Sequence, residues 1–474
     1  MIKKWRQMPE EAKSTIVFVI SSFIVKGIVF ITTPIFTRIM PVSQYGIIAT
    51  FNSWRSIIEV FALLGLTSAG VFNVGLNDYR DARDQYVSSV LTLCNAITIV
   101  TFTVIFAYKN FFTEEFLLPN NQLILMFVWL LFSPAQDFWL TRQKYEYKYK
   151  LAFCVTVVIA ILSQIIAVIA VMNIDAANLG EIKLWSTNLT TVILVLPIYI
   201  HIFVKGKNFF DFKRWKQILV FALPLIPHYL AQHIMFGADR ILLSKMISDA
   251  AAGIYSVVNN IGLIASIVWS SVNASLIAYT FENLNKKQYG GVNHTVTMLL
   301  IGYAAICVCV TVVAPEIMRI LAPEEYYSGI YAIPPIICVS FLSALYNVYA
   351  NVEFYHKKSV CIAISTIIAT LVNVLLNIVL IPRFTFVGAA YTTLISYVVL
   401  IVMHYIGYRK CNEPVYKNRN IAVIALGCVL ACMLCNLLYI NNLIRFSVMA
   451  FLILLFVWKR KFIINALKIL KNKG

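Results

Sequence analysis

Residues 150–172 read KLAFCVTVVIAILSQIIAVIAVM. The run carries no charge beyond Lys150 at its edge. Roughly 20 apolar residues cross the hydrocarbon of a bilayer as a helix. A barrel strand would be about half that length and would alternate apolar with polar side chains, which this run does not. Lipid offers the backbone no hydrogen-bond partners, so a crossing segment must satisfy its own amides, and a helix is predicted.

Outward from this stretch, the same reading applies at 14–38, 45–72, 87–108, 121–141, 184–204, 217–243, 252–280, 293–321, 328–351, 359–381, 386–408, 420–440 and 443–458, making fourteen windows. Of 474 residues, 60% are apolar, about 284, and 13% are charged. Soluble domains carry about a quarter of their residues as charges. Fourteen spans of roughly 20 residues use about 280. The predicted class is therefore an all-α polytopic membrane protein with about 14 transmembrane helices. The first window follows a basic start (Lys3, Lys4, Arg6, Lys13) and runs to about Ile39 without a small-residue cleavage site. It reads as a membrane helix rather than a removed signal.

The net charge is +18. In a soluble chain that would suggest nucleic acid; here the membrane accounts for it, and no nucleic-acid partner is expected. Of 39 Lys and Arg, 29 fall in the two tails and in the connections 76–86, 142–150, 205–216, 282–292, 357–358 and 409–419. The alternate connections hold seven, and three lie within spans: Lys26, Arg55 and Arg240. Basic residues gather on the cytoplasmic side, so both termini are expected there. The tail KRKFIINALKILKNKG at 459–474 is expected to lie on the cytoplasmic leaflet.

Other chemistry is sparse. Nine of the ten cysteines sit in apolar runs and behave as small hydrophobes. The CxC at Cys307 and Cys309 and the CxxC at Cys432 and Cys435 lack His or acidic partners at ligand spacing, so no metal or cofactor is expected. There is no GxxxxGK[ST] phosphate loop. No connection is long enough for a soluble domain, and none carries the paired carboxylates a polymerase or glycosyltransferase would need. The reading is a transporter, not an enzyme.

The halves repeat. At offset 207, Arg38 meets Lys245, Gly46 meets Gly253, Asn52 meets Asn259 and Lys26 meets His233. At offset 208, Tyr147, Lys150 and Gly180 meet Tyr355, Lys358 and Gly388. The expected organisation is a cytoplasmic N-tail (1–13), a six-helix bundle (14–205), a cytoplasmic linker (206–216), a second six-helix bundle (217–408), two further transmembrane helices (420–458) and the basic tail (459–474). An even number of spans per half makes the bundles parallel repeats, as in some transporters, whose substrates bind between repeats near the midplane.

Three segments carry a resemblance. Residues 373–397 read NVLLNIVLIPRFTFVGAAYTTLISY, with Asn373, Asn377, Pro382, Gly388, Ala389, Ala390 and Thr393 in a pattern N…LN…LIP…GAA…T. Residues 221–262 place Pro224, then Asp239–Arg240, then Gly253–Tyr255; residues 33–48, TPIFTRIMPVSQYGII, match more loosely. The chain resembles the Wzx-type polysaccharide flippases of the multidrug/oligosaccharidyl-lipid/polysaccharide exporter superfamily. The resemblance covers essentially the whole chain, including its plan of six, six and two helices. The first half departs from the second in lacking an Asp–Arg pair.

The resemblance implies a multi-pass protein of the bacterial cytoplasmic membrane that moves undecaprenyl-pyrophosphate-linked oligosaccharide, for O-antigen or capsule, through a cationic cavity. It implies coupling to H+ or Na+, contact with membrane lipids, and a monomer working beside a polysaccharide polymerase and glycosyltransferases. A lipid II flippase is an alternative. A drug-cation antiporter of the same superfamily is another, which Lys26, Arg55 and Arg240 disfavour by repulsion.

Charges at bilayer depth cost roughly 2.5–3.5 kcal/mol on insertion scales. Lys26, mid-span, either lines a cavity and contacts a pyrophosphate or acidic sugar, or snorkels to an interface. Arg55 and Glu59, at i and i+4, share a helix face: they either neutralise each other or divide phosphate binding and a coupling proton between them. On the seventh span His228, Gln232 and Asp239 fall within roughly 40° of one another, with His233 and Arg240 on a second stripe. Asp239 and Arg240 each need a partner on another element, and the histidines either titrate or hold helix contacts. Asp137 is offered a partner in Arg142.

Overall fold

A computed structural model describes residues 8–174, 177–448 and 450. The basic tail and most of the last window, 443–458, lie outside the described residues. Among those described there are sixteen α-helices, three short 3₁₀ turns and no strand. They are α1 Glu10–Ile39, α2 Val42–Leu63, α3 Ala69–Asp78, α4 Arg83–Ala107, α5 Lys109–Phe116, α6 Asn120–Tyr145, α7 Tyr149–Asn173 and α8 Leu179–Gly206. There follow α9 Phe212–Ala222, α10 Ile226–Met246, α11 Asp249–Asn285, α12 Tyr289–Val312, α13 Ala314–Leu321, α14 Ile333–Tyr355, α15 Ser359–Arg409 and α16 Asn418–Leu438.

Eleven helical segments among the described residues are long and apolar enough to cross a membrane. Helix α2 is not one of them, because Gln44, Asn52, Arg55 and Glu59 dilute it. The expected window 45–72 is also too long. Leu64 and Gly65 both take left-handed backbone, at φ 49° and 69°, and end α2. At Gly65 a Cβ would lie 2.6 Å from the Tyr229 ring, so both conformation and space require glycine there. Conversely, α15 joins the windows 359–381 and 386–408 through Thr385, whose φ of 52° and ψ of −136° are not helical. With α2 added and α15 counted as two crossings, thirteen of the fourteen windows lie on helices. The protein is an all-α polytopic membrane protein.

By internal packing the chain divides into two compact units, residues 1–237 and 238–474. The division falls inside α10, beyond the 206–216 connection at which the sequence places it. In the first unit α7 packs on α1 and α8, while α4 and α6 pack on each other and on α8. In the second, α14 is the core helix, touching α11, α12, α15 and α16. Its crossing segment, which begins at Glu324, is 72% buried, against 22% for α16. Buried Cys307, Cys338, Cys428, Cys432 and Cys435 lie on α12, α14 and α16, which pack on one another. Small side chains there let the helices approach closely. All ten cysteines are free thiols.

Three helices end in the same turn. After α6, α11 and α14 the left-handed residues are Tyr147, Lys287 and Lys357. Each turn closes through a hydrogen bond from the following amide to a carbonyl five residues back: Lys148 to Gln143, Gln288 to Asn283, Lys358 to Glu353.

Candidate functional site

In the first unit Glu59 of α2 and Asp137 of α6 line one cavity of about 410 Å³. Its other walls come from the α2–α3 connection, with Gly65, Thr67 and Ser68, and from α10, with Tyr229, Gln232 and His233. The Tyr229 hydroxyl donates to Ser68 Oγ at 3.0 Å, closing one side. Two carboxylates, an imidazole, an amide and hydroxyls thus face one space, an oxygen-rich environment suited to a proton or a hard monovalent cation. Gln232 and His233 share this space although the sequence sets them on separate stripes. His228 lies one turn nearer the start of α10, its ring centroid 5.9 Å from that of Tyr229, and is not in the cavity wall.

Arg55 and Glu59 make no direct ion pair among the described residues, although each lies within reach of the other's charge. The Arg55 guanidinium turns instead to Asn188 of α8, donating to its Oδ1 at 3.0 Å, and lies 4.2 Å from the Trp129 ring of α6. A planar guanidinium gains both a directed bond and a stacked face there, which an exchange for lysine would lose. Asp137 does not pair with Arg142 either. Arg142 engages Asp84 and, at 2.9 Å, Glu146, which leaves Asp137 to the cavity. Lys26 is exposed near the middle of α1 and makes no hydrogen bond or ion pair among the described residues. Lys183 belongs to α8, its ammonium 3.6 Å from the Phe36 ring and 5.1 Å from that of Tyr45.

In the second unit Asp239 is 3% exposed, and its hydrogen-bond partners are neutral. Tyr255 donates to Oδ2 at 2.5 Å, Thr393 to Oδ2 at 2.6 Å, and the Asn377 amide to Oδ1 at 2.6 Å. Asn377 also donates to Asn373 Oδ1 at 3.1 Å and accepts from Thr392. The partners that Asp239 needs on other elements are thus amides and hydroxyls from α11 and both halves of α15. Arg240, next in sequence, is half-buried. Of the residues that carried the resemblance in 373–397, Asn377 and Thr393 bond this carboxylate and Asn373 bonds both of them.

Sequence reasoning missed Asn188, whose only signal was an amide inside an apolar helix, and it undervalued Asp137. It also missed His404 of α15, which is fully buried against fully buried Glu353 of α14.

This all-helical fold recurs among solved structures. The chain matches the lipid II flippase MurJ in its inward closed conformation with TM-score 0.71, at 14% identity, over 94% of this chain and 100% of that one. It matches an inward-facing multidrug resistance MATE transporter with TM-score 0.58, at 11% identity, over 84% and 96%. A superfamily transporter from Pyrococcus furiosus with a binding pocket of reversed polarity matches at 0.56 and 15% identity, over 87% and 97%. Residues 12–283 match the polysaccharide biosynthesis protein family, and the chain belongs to that family. It is a multi-pass membrane protein. A protein of the Lsg locus of Haemophilus influenzae is 23% identical over 172 residues, 35% of this chain and 43% of that protein. An uncharacterized membrane protein of the same organism is 25% identical over 202 residues, 39% and 49%. The chain thus spans less than half the length of these curated relatives.

Proposed function

We propose that the protein is a flippase carrying undecaprenyl-pyrophosphate-linked oligosaccharide from the cytoplasmic to the outer leaflet by alternating access. The observation that carries this reading is the match to a polysaccharide biosynthesis family in a chain with the fold of a lipid flippase. In this reading both termini are cytoplasmic, the six-helix bundles 14–205 and 217–408 descend from a duplication, and 420–458 is an addition. Lys26 and Arg240 attract the pyrophosphate, and Arg55 contributes from a braced position on Trp129 and Asn188. The protein acts as a monomer beside a polymerase and glycosyltransferases.

Coupling to H+ or Na+ is supported by Asp239. A buried carboxylate among neutral donors is costly as an anion, and a bound proton or sodium ion would cancel its charge. Glu59 and Asp137, with His233 beside them, line a second and more open acidic cavity.

The test is complementation of a flippase-null strain. Lys26→Ala is expected to abolish surface polysaccharide while the protein remains in the membrane, with Lys26→Arg restoring it. Full polysaccharide from Lys26→Ala would sink the cationic site. Asp239→Asn is expected to retain membrane insertion but lose gradient-driven flipping of a labelled lipid-linked oligosaccharide in proteoliposomes. The acidic lining around Glu59 favours a second reading, a drug-cation antiporter. Dye efflux that needs Glu59, together with intact polysaccharide in the null mutant, would favour it over the first.

A further inference from the structure

The ion pairs at one end of the first unit are not part of the cavity described above. There the start of α4 and the ends of α6 and α8 enclose a separate cleft. Val87, Trp139 and Ile202 form its apolar floor; Arg142, Lys148, His201 and Lys205 ring it with Asp84 and Glu146.

The two carboxylates are committed within this ring. Arg142 engages both, at 2.9 Å to Glu146 Oε1; Arg83 approaches the same oxygen at 3.6 Å, and Lys148 takes Oε2 at 2.7 Å. Burial would raise the Glu146 carboxyl, but hydrogen bonds from Lys148 and Arg142, with their charges, outweigh it and hold the group below the usual carboxylate range. Lys205 stands 3.8 Å from Asp84 and is 53% exposed; Lys148 is 65% exposed. Four cations therefore face two carboxylates, and the excess lies on the two exposed lysines at the mouth. His201 makes no hydrogen bond or ion pair among the described residues.

The surroundings identify the medium. Ile200 and Val204 on α8 and Leu151 on α7 are 52%, 64% and 62% exposed, as lipid-facing side chains are. The cleft thus opens where helices end and hydrocarbon gives way to headgroups. Basic pockets between helices at this level suit phosphate-bearing lipid heads.

We propose that this cleft is a binding site for a phosphate-bearing lipid headgroup, with Lys148 and Lys205 contacting the phosphate and Arg142 fixed behind them by Asp84 and Glu146. Two lipid classes carry that chemistry, an anionic phospholipid and a prenyl diphosphate. The site does not depend on which cargo the transporter moves.

The experiment is native mass spectrometry of the full-length protein in detergent with phosphatidylglycerol or phosphatidylcholine of the same chains. Phosphatidylglycerol is expected to be retained preferentially, and Lys148→Gln/Lys205→Gln to weaken that retention roughly tenfold or more, given the contribution of each surface cation. Lys287→Gln, in the other unit, is expected to leave it unchanged. Equal retention of both lipids, an unaltered double variant, or an equal loss in Lys287→Gln would each overturn the site. Farnesyl diphosphate separates the sources. If it displaces phosphatidylglycerol from the wild type, the cleft takes prenyl diphosphates as well; if it does not, the phospholipid alone is the ligand.

Discussion

The ends of α6 and α14 share one turn and solve one electrostatic problem in two ways. The turn with Tyr147 recurs 210 residues on, at Lys357, two residues beyond the sequence register of 208. In this alignment Glu146 matches His356, and Gln143 matches Glu353. The first unit places a neutral amide at the inner position and its carboxylate in the turn, where three cations reach it. The second puts a carboxylate at the inner position. Glu353 is 0% exposed, so solvent cannot stabilise it, and His404, also 0% exposed, bonds it instead. Gly407 makes room: a Cβ there would collide with the Glu353 carboxylate. The Tyr346 ring packs edge-on to His404 at 4.7 Å. Exchanging an amide for a carboxylate one turn further in thus required a histidine and a glycine on another helix. The lesson is that an acid's depth in the turn sets how specific its partner must be.

The largest expected effect follows from that depth. His404→Leu would strand a buried carboxylate, and loss of one partner of a buried pair costs about 3–5 kcal/mol. Purified variant in detergent should unfold at markedly lower temperature or denaturant concentration. Wild-type stability would break the comparison, since it would mean that Glu353 reaches solvent.

How much of this could be read from sequence depends on range. Apolar runs found thirteen helices, because length and composition are local properties. They misjudged the end of α2, where Leu64 and Gly65 turn left-handed inside a run that stays apolar. The i, i+4 spacing of Arg55 and Glu59 is also local, but the direct contacts of Arg55 go to two other helices, through Trp129 and Asn188. Asp239 was found as a buried charge, but two of its three neutral partners come from positions 138 and 154 residues away. The segment 373–397 was singled out for its resemblance, with nothing in its spacing to say that it would face Asp239. His404 stood alone in an apolar run, and its meaning depends on Glu353, 51 residues earlier.

A smaller effect sharpens the comparison. In His404→Leu, Glu353→Gln gives the second unit the amide that the first already has at Gln143. Replacing both members of a buried pair is often nearly neutral. The double variant should therefore recover most of the loss, to within about 1–2 kcal/mol of wild type, by the same unfolding assay. If it remains as unstable as the single variant, the cost comes from packing around Tyr346 and Gly407, and the two turns differ in shape rather than in charge.

The smallest effect belongs to Glu146, whose pairs are partly open to water, at Lys148 above all, and so worth about 1 kcal/mol each. Its carboxyl is held below the ordinary value of 4.5: burial raises it, but bonds from Lys148 and Arg142 lower it further. A depressed carboxylate contributes stability that is complete above the unfolded pKa and is lost as pH falls through the folded one. Wild type should therefore lose a small increment of stability below about pH 4.5 that Glu146→Gln lacks, and the two unfolding curves should converge in acid. Added salt should narrow the gap at neutral pH, because these charges lie within reach of counterions. Glu353 is enclosed, so the cost of His404→Leu should hardly respond to salt. Parallel salt responses at the two sites would remove the distinction between a turn held by accessible cations and one held by a buried histidine.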